Sequence, residues 1–208
     1  MEKGFTMKRK FLFLLVLAVT FLTVQNASAV MIMFEDLPLN QVYNVGDSFT
    51  SDGINIQVVQ FVPVNQLNAS VKVDNLGIAG GSGNEISMTN ASLQFTLNFG
   101  GYSANGIAFM FTDQDGGINL GVNGDVKSAA NFSGLPATIG GANVYLSGGY
   151  PFGIIMITGS NIQSVVIGGQ KISIDNVLAC KGTVPEPVSI LLLGLGGLGL
   201  LIRKKKKG

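Results

Sequence analysis

Hydrophobic and polar residues alternate with a period of two along much of the middle of this chain. The clearest run is SLQFTLNF, residues 92–99, in which every second residue from Leu93 to Phe99 is leucine or phenylalanine. Isoleucine and valine repeat in the same way in INIQVV, residues 54–59, as do isoleucine and phenylalanine in GIAFMF, residues 106–111. Because successive side chains of a strand point to opposite faces, these runs predict strands with one buried and one solvated face.

Further short apolar runs predict additional strands, namely SVKV, ANVYL, FGIIMIT, SVVIGG and KISIDNVL. Clusters rich in glycine, asparagine and aspartate separate the runs and predict turns at residues 80–84, 113–117, 123–125 and 148–149. No long helical periodicity is present between these turns. The pattern therefore predicts an all-β fold, an antiparallel, jelly-roll-like β-sandwich of about eight to eleven strands.

Residues 1–29 have the features of a secretory signal peptide. The basic residues 8–10 precede an apolar run over residues 11–22, and Ala27 and Ala29 supply the small side chains that a signal peptidase reads. We therefore expect export, with signal peptidase as a partner and a mature chain that begins near residue 30.

The end of the chain has the features of a membrane anchor. Residues 188–202 are uncharged and rich in leucine and glycine. As a helix they would reach about 22 Å, less than the hydrocarbon core of about 30 Å, but lysine stems that extend to the interface make a short transmembrane helix feasible. The basic cluster that follows predicts a cytoplasmic end; it consists of Arg203, Lys204, Lys205, Lys206 and Lys207. The two ends together predict an extracytoplasmic domain at residues 30–182, anchored in the inner membrane.

Residues 183–208 resemble the PEP-CTERM sorting signal of exported proteins from Gram-negative, biofilm-forming bacteria. A short motif, the apolar run 188–202 and the basic residues 203–207 carry the resemblance in that order; the motif residues are Val184, Pro185, Glu186 and Pro187. The resemblance implies recognition by an exosortase, a membrane-embedded transpeptidase that cuts near residues 185–187. The protein would be an anchored periplasmic precursor and, after processing, a cell-surface or extracellular protein. The prolines also favour extended backbone, which leaves the Glu186 carboxylate as a recognition group.

The composition of residues 30–183 excludes several classes of function. Four basic and ten acidic residues give this part a net charge of −6, so we expect no nucleic-acid partner. The chain contains no histidine and a single cysteine, Cys180, which excludes histidine-based catalysis, an intramolecular disulfide and a multi-cysteine zinc site. We expect that the protein is not an enzyme. A hydrolase that uses paired carboxylates such as Asp113 and Asp115 is the alternative.

Four stretches resemble a β-sandwich type that often precedes this sorting signal: MIMFEDLP, GDSFTSDGI, GINLGVNGD and IGGQKISIDNV. The last of them resembles the closing strand of many galactose-binding-like and carbohydrate-binding jelly rolls. In such jelly rolls the first and last strands are neighbours, and a structural calcium ion often lies beside them. The resemblance implies that carboxylates near the two ends of the domain could hold calcium, which prefers several oxygen ligands. The candidates are Glu35, Asp36, Asp47 and Asp175, and Asp52 could join them. The alternative is that these acids form turns and caps.

Two roles remain open for the exported domain. The first is a structural or adhesive role in the cell envelope or in exopolysaccharide, as the sorting signal implies. The second is specific carbohydrate binding, in which exposed aromatic rings stack on sugars. Tyr102 and Tyr150 lie beside glycine-rich turns and are the candidates for this stacking.

Overall fold

The computed structural model of the protein describes residues 28–62, 68–101, 103–148 and 150–181. Within these ranges β-strands dominate, as the alternating pattern predicts, and the one helical element is a 3-10 turn at Phe132–Gly134. Twelve strands belong to one antiparallel sheet. They are β1 (Ser28–Ile32), β2 (Val42–Asn44), β3 (Ser48–Ser51), β4 (Ile54–Gln60), β5 (Ser70–Asp74), β6 (Glu85–Thr96), β7 (Ala104–Val122), β8 (Asp125–Ala129), β9 (Thr138–Ile139), β10 (Ala142–Gly148), β11 (Phe152–Ile162) and β12 (Ser164–Lys181).

Three long strands, β6, β7 and β12, each take part in two halves of the sheet. The first half runs in the order β2, β5, β6, β12, β7, β11, β10 and β9. In the second half β4 pairs with the end of β6, β3 pairs with β4, and β8 pairs with the end of β7. The long strands change direction where backbone freedom is high. Asn90 and Gly116 have positive φ angles of 51° and 83°, and Gly169 lies between them on β12, opposite Ala91 and Ile118.

The two halves share one hydrophobic core, which makes the fold a β-sandwich. Phe95 from the second half and Phe109 from the first are fully buried, with ring centroids 5.4 Å apart in an edge-to-face arrangement. The rings of Phe111 and Phe132 lie 4.1 Å apart. Burying such a side chain contributes about 1.5–3 kcal/mol. The residues whose alternation predicts the strands are therefore also the residues that hold the two layers together.

The first and last strands of the described chain are neighbours, as the sequence predicts. β1 pairs with the end of β12 in antiparallel register, from Ser28 opposite Lys181 to Ile32 opposite Val177. The chain therefore enters and leaves this unit at the same end of the sheet.

Two predictions about strand boundaries are wrong. Residues 113–117, predicted as a turn, lie inside β7, because this stretch forms a bulge that pairs with Lys171 and Ile172 of β12. SVVIGG and KISIDNVL, predicted as two strands, form the single strand β12. In both cases glycine permits a bend within a continuous strand, and pairing on both sides keeps the strand intact.

Residues 1–27 of the signal peptide predicted at residues 1–29, and the whole sorting signal at residues 183–208, lie outside the described residues. Among the residues that are described, no helix has the length and apolar character needed to cross a membrane.

Candidate functional site

A glycine-rich loop at residues 75–84, between β5 and β6, lies against the outer face of the first half of the sheet. We call it the glycine loop. The Ala79 amide donates a hydrogen bond of 2.8 Å to the Glu85 carboxylate, and the Thr112 hydroxyl donates to the carbonyl of Ile78. At the far end of the loop, the Asn84 side chain donates to the carbonyls of Phe34 and Leu37 at 3.3 and 3.0 Å. The loop is thus fixed to three separate parts of the chain.

An acid pair lies at the base of the glycine loop. Asp74 on β5 is directly opposite Glu85 on β6, and Glu85 is fully buried. Burial raises the pKa of Glu85; the amide of Ala79 opposes this change, and the neighbouring Asp74 adds to it. Two carboxylates have no donor to offer each other, whereas a protonated Glu85 has one. Asp74 Oδ1 and Glu85 Oε1 are buried without a hydrogen-bond partner in the structure, and a proton shared between the two carboxyl groups would supply one.

The glycine loop also brings two of the predicted calcium ligands to the same surface. The Glu35 carboxylate accepts a hydrogen bond of 3.0 Å from the backbone amide of Asn84. Asp175 lies against Gly81, where an added Cβ would overlap the Asp175 carboxylate and come within 2.5 Å of the side-chain nitrogen of Asn176. Burial raises the pKa of Asp175; the Asn176 amide lowers it, and the charge of Glu35 adds to the rise. The charge of Glu35 therefore acts on the Asp175 carboxyl group across the loop.

The other two predicted calcium ligands bind the backbone and side chains of turns. Asp36 accepts from the Ser51 hydroxyl at 2.6 Å and from the Asp52 amide at 3.0 Å, and Asp47 accepts from the Asn44 amide at 2.7 Å. Of the four predicted calcium ligands, Glu35 and Asp175 thus lie at the glycine loop, while Asp36 and Asp47 each lie elsewhere. Within the described ranges no group of three or more histidine, cysteine or acidic side chains is arranged to hold a metal ion.

Asp113 is buried rather than solvated, which contradicts its predicted place in a turn. Its side chain is 2 % exposed, on the same face of β7 as Phe111, and neither carboxylate oxygen has a hydrogen-bond partner. Burial raises the pKa of Asp113, and the charge of Asp115 adds to the rise. Asp115 itself is exposed. The two carboxylates differ so strongly in exposure because the bulge between them turns one inward and leaves the other in water.

Two aromatic side chains project from the tip of the β10–β11 hairpin. Tyr150 and Phe152 are each 64 % exposed, and the Tyr150 hydroxyl donates to the Gln114 carbonyl at 3.4 Å. The exposure predicted for Tyr150 is therefore present, while Tyr102 lies outside the described residues. The stacking candidates predicted from the sequence are both tyrosines and do not include Phe152. The signal was available, because β11 is apolar on both of its faces.

Of the two predicted signal-peptidase residues, Ala27 lies outside the described residues. Ala29 lies in β1 opposite Cys180, which is half-buried.

The C-terminal segment is similar to a known family of protein-sorting motifs. Its residues match the family model described as the PEP-CTERM protein-sorting motif. Residues 183–206 carry a PEP-CTERM motif. No curated protein matches the chain significantly. The PEP-CTERM motif indicates exosortase-dependent sorting of an exported, membrane-processed protein, with an exosortase as the processing partner.

Proposed function

We propose that this protein is the precursor of a cell-surface or extracellular-matrix protein that an exosortase releases from the inner membrane. The observation that carries the proposal is the PEP-CTERM motif at residues 183–206, whose basic end begins at Arg203 and continues to Lys207. The signal peptide predicted at residues 1–29 supplies the route out of the cytoplasm, and the span predicted at residues 188–202 holds the precursor until it is processed.

Replacing the motif prolines tests this proposal. In a host with an exosortase, the double substitution Pro185→Ala and Pro187→Ala should leave the full-length chain in the membrane, because a cleavable extended segment is lost. The matched control is Pro136→Ala, at an exposed position of the β-sandwich. Mass spectrometry of the released chain then gives its two termini. Release of the double variant with the same C-terminus as the control would contradict exosortase processing at the motif.

In its mature form, the β-sandwich has a structural or adhesive role in exopolysaccharide or biofilm and is not an enzyme. The absence of histidine and the burial of Asp113 away from Asp115 support this proposal. Turnover of a bacterial exopolysaccharide by the purified protein, lost on Asp113→Asn, would contradict it and favour the hydrolase.

The second candidate function is carbohydrate binding at the hairpin tip. Two rings that are each 64 % exposed favour it, because such rings gain from covering the apolar face of a sugar. A glycan array should show saturable, sugar-selective binding that is lost with Tyr150→Ala or Phe152→Ala. The matched control is Tyr145→Ala, an exposed tyrosine away from the tip. Equal binding by the wild type and the tip variants would reject this site.

A structural calcium ion is part of the second candidate function. Glu35 and Asp175 are the two predicted ligands that lie beside the glycine loop, against Gly83 and Gly81 respectively. If they hold calcium, a chelator lowers the melting temperature of the wild-type protein and does not change that of Asp175→Asn. Identical melting of the wild type with and without chelator would reject calcium.

A further inference from the structure

The outer face of the first half of the sheet has an apolar part that the glycine loop leaves uncovered. On β11, Ile155 and Ile157 point into the core and are fully buried, while Ile154 and Met156, which alternate with them, point outward and are 43 % and 44 % exposed. A strand that is apolar on both faces is typical of a sheet covered on both sides. Here the described chain covers only one side of β11. The exposed side chains on the other side are apolar, which indicates that a partner covers them.

This apolar part extends across five neighbouring strands. The strand registers place Met31 opposite Leu178, Leu178 opposite Ala108, Ala108 opposite Met156 and Met156 opposite Tyr145. We call these five residues the methionine row. With strands about 4.8 Å apart, the row measures about 19 Å across the sheet. It is therefore a continuous strip rather than a set of isolated exposed side chains.

The methionine row is exposed and uncharged. Met31 and Tyr145 at its two ends are 48 % and 50 % exposed, and Leu178 and Ala108 are half-buried. The glycine loop stops short of the row, since Gly80 contacts Met110, the next outward-facing residue of β7 after Ala108. No charged side chain would have to leave water if the row were covered by an apolar partner.

The methionine row lies close to the point where the described chain ends, and this position indicates a lipid bilayer as its partner. Leu178 is three residues, or about 10 Å along the strand, from Lys181, where the described chain ends. The apolar run begins seven residues further on, at Val188, and an extended chain of that length spans at most about 25 Å. If residues 188–202 lie in a bilayer, the methionine row is tethered within reach of the surface of that same bilayer.

We propose that the methionine row is a membrane-contact surface, which holds the β-sandwich against the lipid bilayer while the C-terminal span anchors the precursor. This inference rests on the proposed function. Methionine side chains are flexible and adapt to an irregular apolar partner, and tyrosine is suited to the interface because its ring is apolar and its hydroxyl is polar. The row offers a glycan only one hydrogen-bonding group, the hydroxyl of Tyr145, whereas sugar sites need several.

The test uses tryptophan fluorescence, because the chain contains no tryptophan. The full-length chain with Tyr145→Trp is reconstituted into phosphatidylcholine vesicles with and without brominated acyl chains, which quench only nearby fluorophores. The control is Val126→Trp, at an exposed position of β8 in the second half of the sheet. Flotation with the vesicles measures insertion independently of fluorescence. We expect quenching at position 145 to exceed that at position 126 by about twofold or more, as for a group lying at the headgroup boundary.

A second pair of substitutions tests the row itself. In the Tyr145→Trp background, Met31→Glu and Met156→Glu together should reduce quenching to the level of the Val126→Trp control. Met31→Leu and Met156→Leu should preserve it. All of these positions are exposed, so circular dichroism should report an unchanged fold.

Each other outcome overturns the inference in a distinct way. A chain that floats with the vesicles but shows equal quenching at positions 145 and 126 rejects the membrane-contact surface and leaves the anchored precursor intact. A chain that does not float rejects both. If the tryptophan emission is blue-shifted in a way that depends on protein concentration and is not quenched by brominated lipid, a second copy of the chain covers the row instead.

Discussion

Gly168 lies where two strands approach too closely for any side chain, so Gly168→Ala should separate them. Gly168 on β12 is opposite Ser92 on β6, and Ser92 is fully buried. A Cβ built on Gly168 would overlap the hydroxyl and Cα of Ser92 and lie 2.5 Å from the carbonyl oxygen of Ala91. Two of these three contacts are with backbone atoms, which cannot move aside by a change of rotamer. The added methyl group must therefore push β6 away from β12 at the point where the long strands bend.

The size of the effect follows from this geometry. Overpacking of a crowded site costs about 1–3 kcal/mol, and backbone contacts place Gly168→Ala near the upper end of that range. For a domain of about 150 residues, a loss of about 3 kcal/mol lowers the melting temperature by about 6–12 °C. The matched substitution is Gly106→Ala on β7, where the Cβ would be 3.5 Å from the carbonyl oxygen of Ile157, an ordinary contact. Gly106→Ala should be neutral or stabilise the fold by up to about 1 kcal/mol, because it restricts the unfolded chain.

Thermal unfolding of the wild type and both variants, followed by far-ultraviolet circular dichroism in one buffer, measures the difference. Urea unfolding of the same three proteins should give the same order of stability. Melting temperatures of Gly168→Ala and Gly106→Ala that agree within error would refute the close approach of β6 and β12.

Two further predictions concern the acid pair and the core. Because burial raises the pKa of Glu85 in the folded protein, its contribution to stability is complete below about pH 4.5 and is lost as the pH rises through the folded-state pKa. While Glu85 titrates, the wild-type free energy of unfolding should fall by up to about 1.4 kcal/mol per pH unit, and Glu85→Gln should remove that slope in urea titrations from pH 4 upward; parallel pH profiles would contradict the buried pair with Asp74. Phe95→Ala should destabilise the fold by about 3–5 kcal/mol, whereas Phe152→Ala should change it by less than about 0.5 kcal/mol. Similar melting of the two phenylalanine variants would show that their assignments to core and surface are wrong.

The strands that were predicted with the correct faces are those in which one face is strictly apolar. In β4 and β6 the alternation from Ile54 to Val58 and from Leu93 to Phe95 matches the buried positions. Their side-chain period alone identifies the core face, so no knowledge of the neighbouring strands is needed.

The errors occur where glycine and aspartate lie inside strands. Local preference places Asp113 to Gly117 in a turn, because these residue types form turns by themselves. In the structure, pairing with β12 on one side of β7 and with β11 and β8 on the other overrides that preference. Such pairing is a property of residues distant in the sequence, and a single sequence does not reveal it.

In the candidate sites, too, some features follow from residues that are close in the sequence and others only from strand pairing between distant residues. The pairing of the first and last strands leads one to expect Glu35 and Asp175 near the same loop. The roles of Asp36 and Asp47 depend instead on turns whose hydrogen bonds the sequence does not reveal. The exposure of Tyr150 follows from its place beside a glycine turn. The methionine row could not be foreseen, because its members come from five strands whose registers are set by the whole sheet.

β12, which is synthesised last among the described strands, is the strand on which most of the sheet depends. β12 pairs with β1, β6 and β7, so neither half of the sheet is complete before residues 164–181 have arrived. A chain exported from its N-terminus onward would therefore cross the membrane before its two layers can close, in the unfolded state that a narrow translocation channel requires. Closure joins residues that are up to 153 positions apart in the sequence, Ser28 and Lys181, and such non-local pairing is slow. An exported chain would thus complete its sheet only after β12 has crossed the membrane.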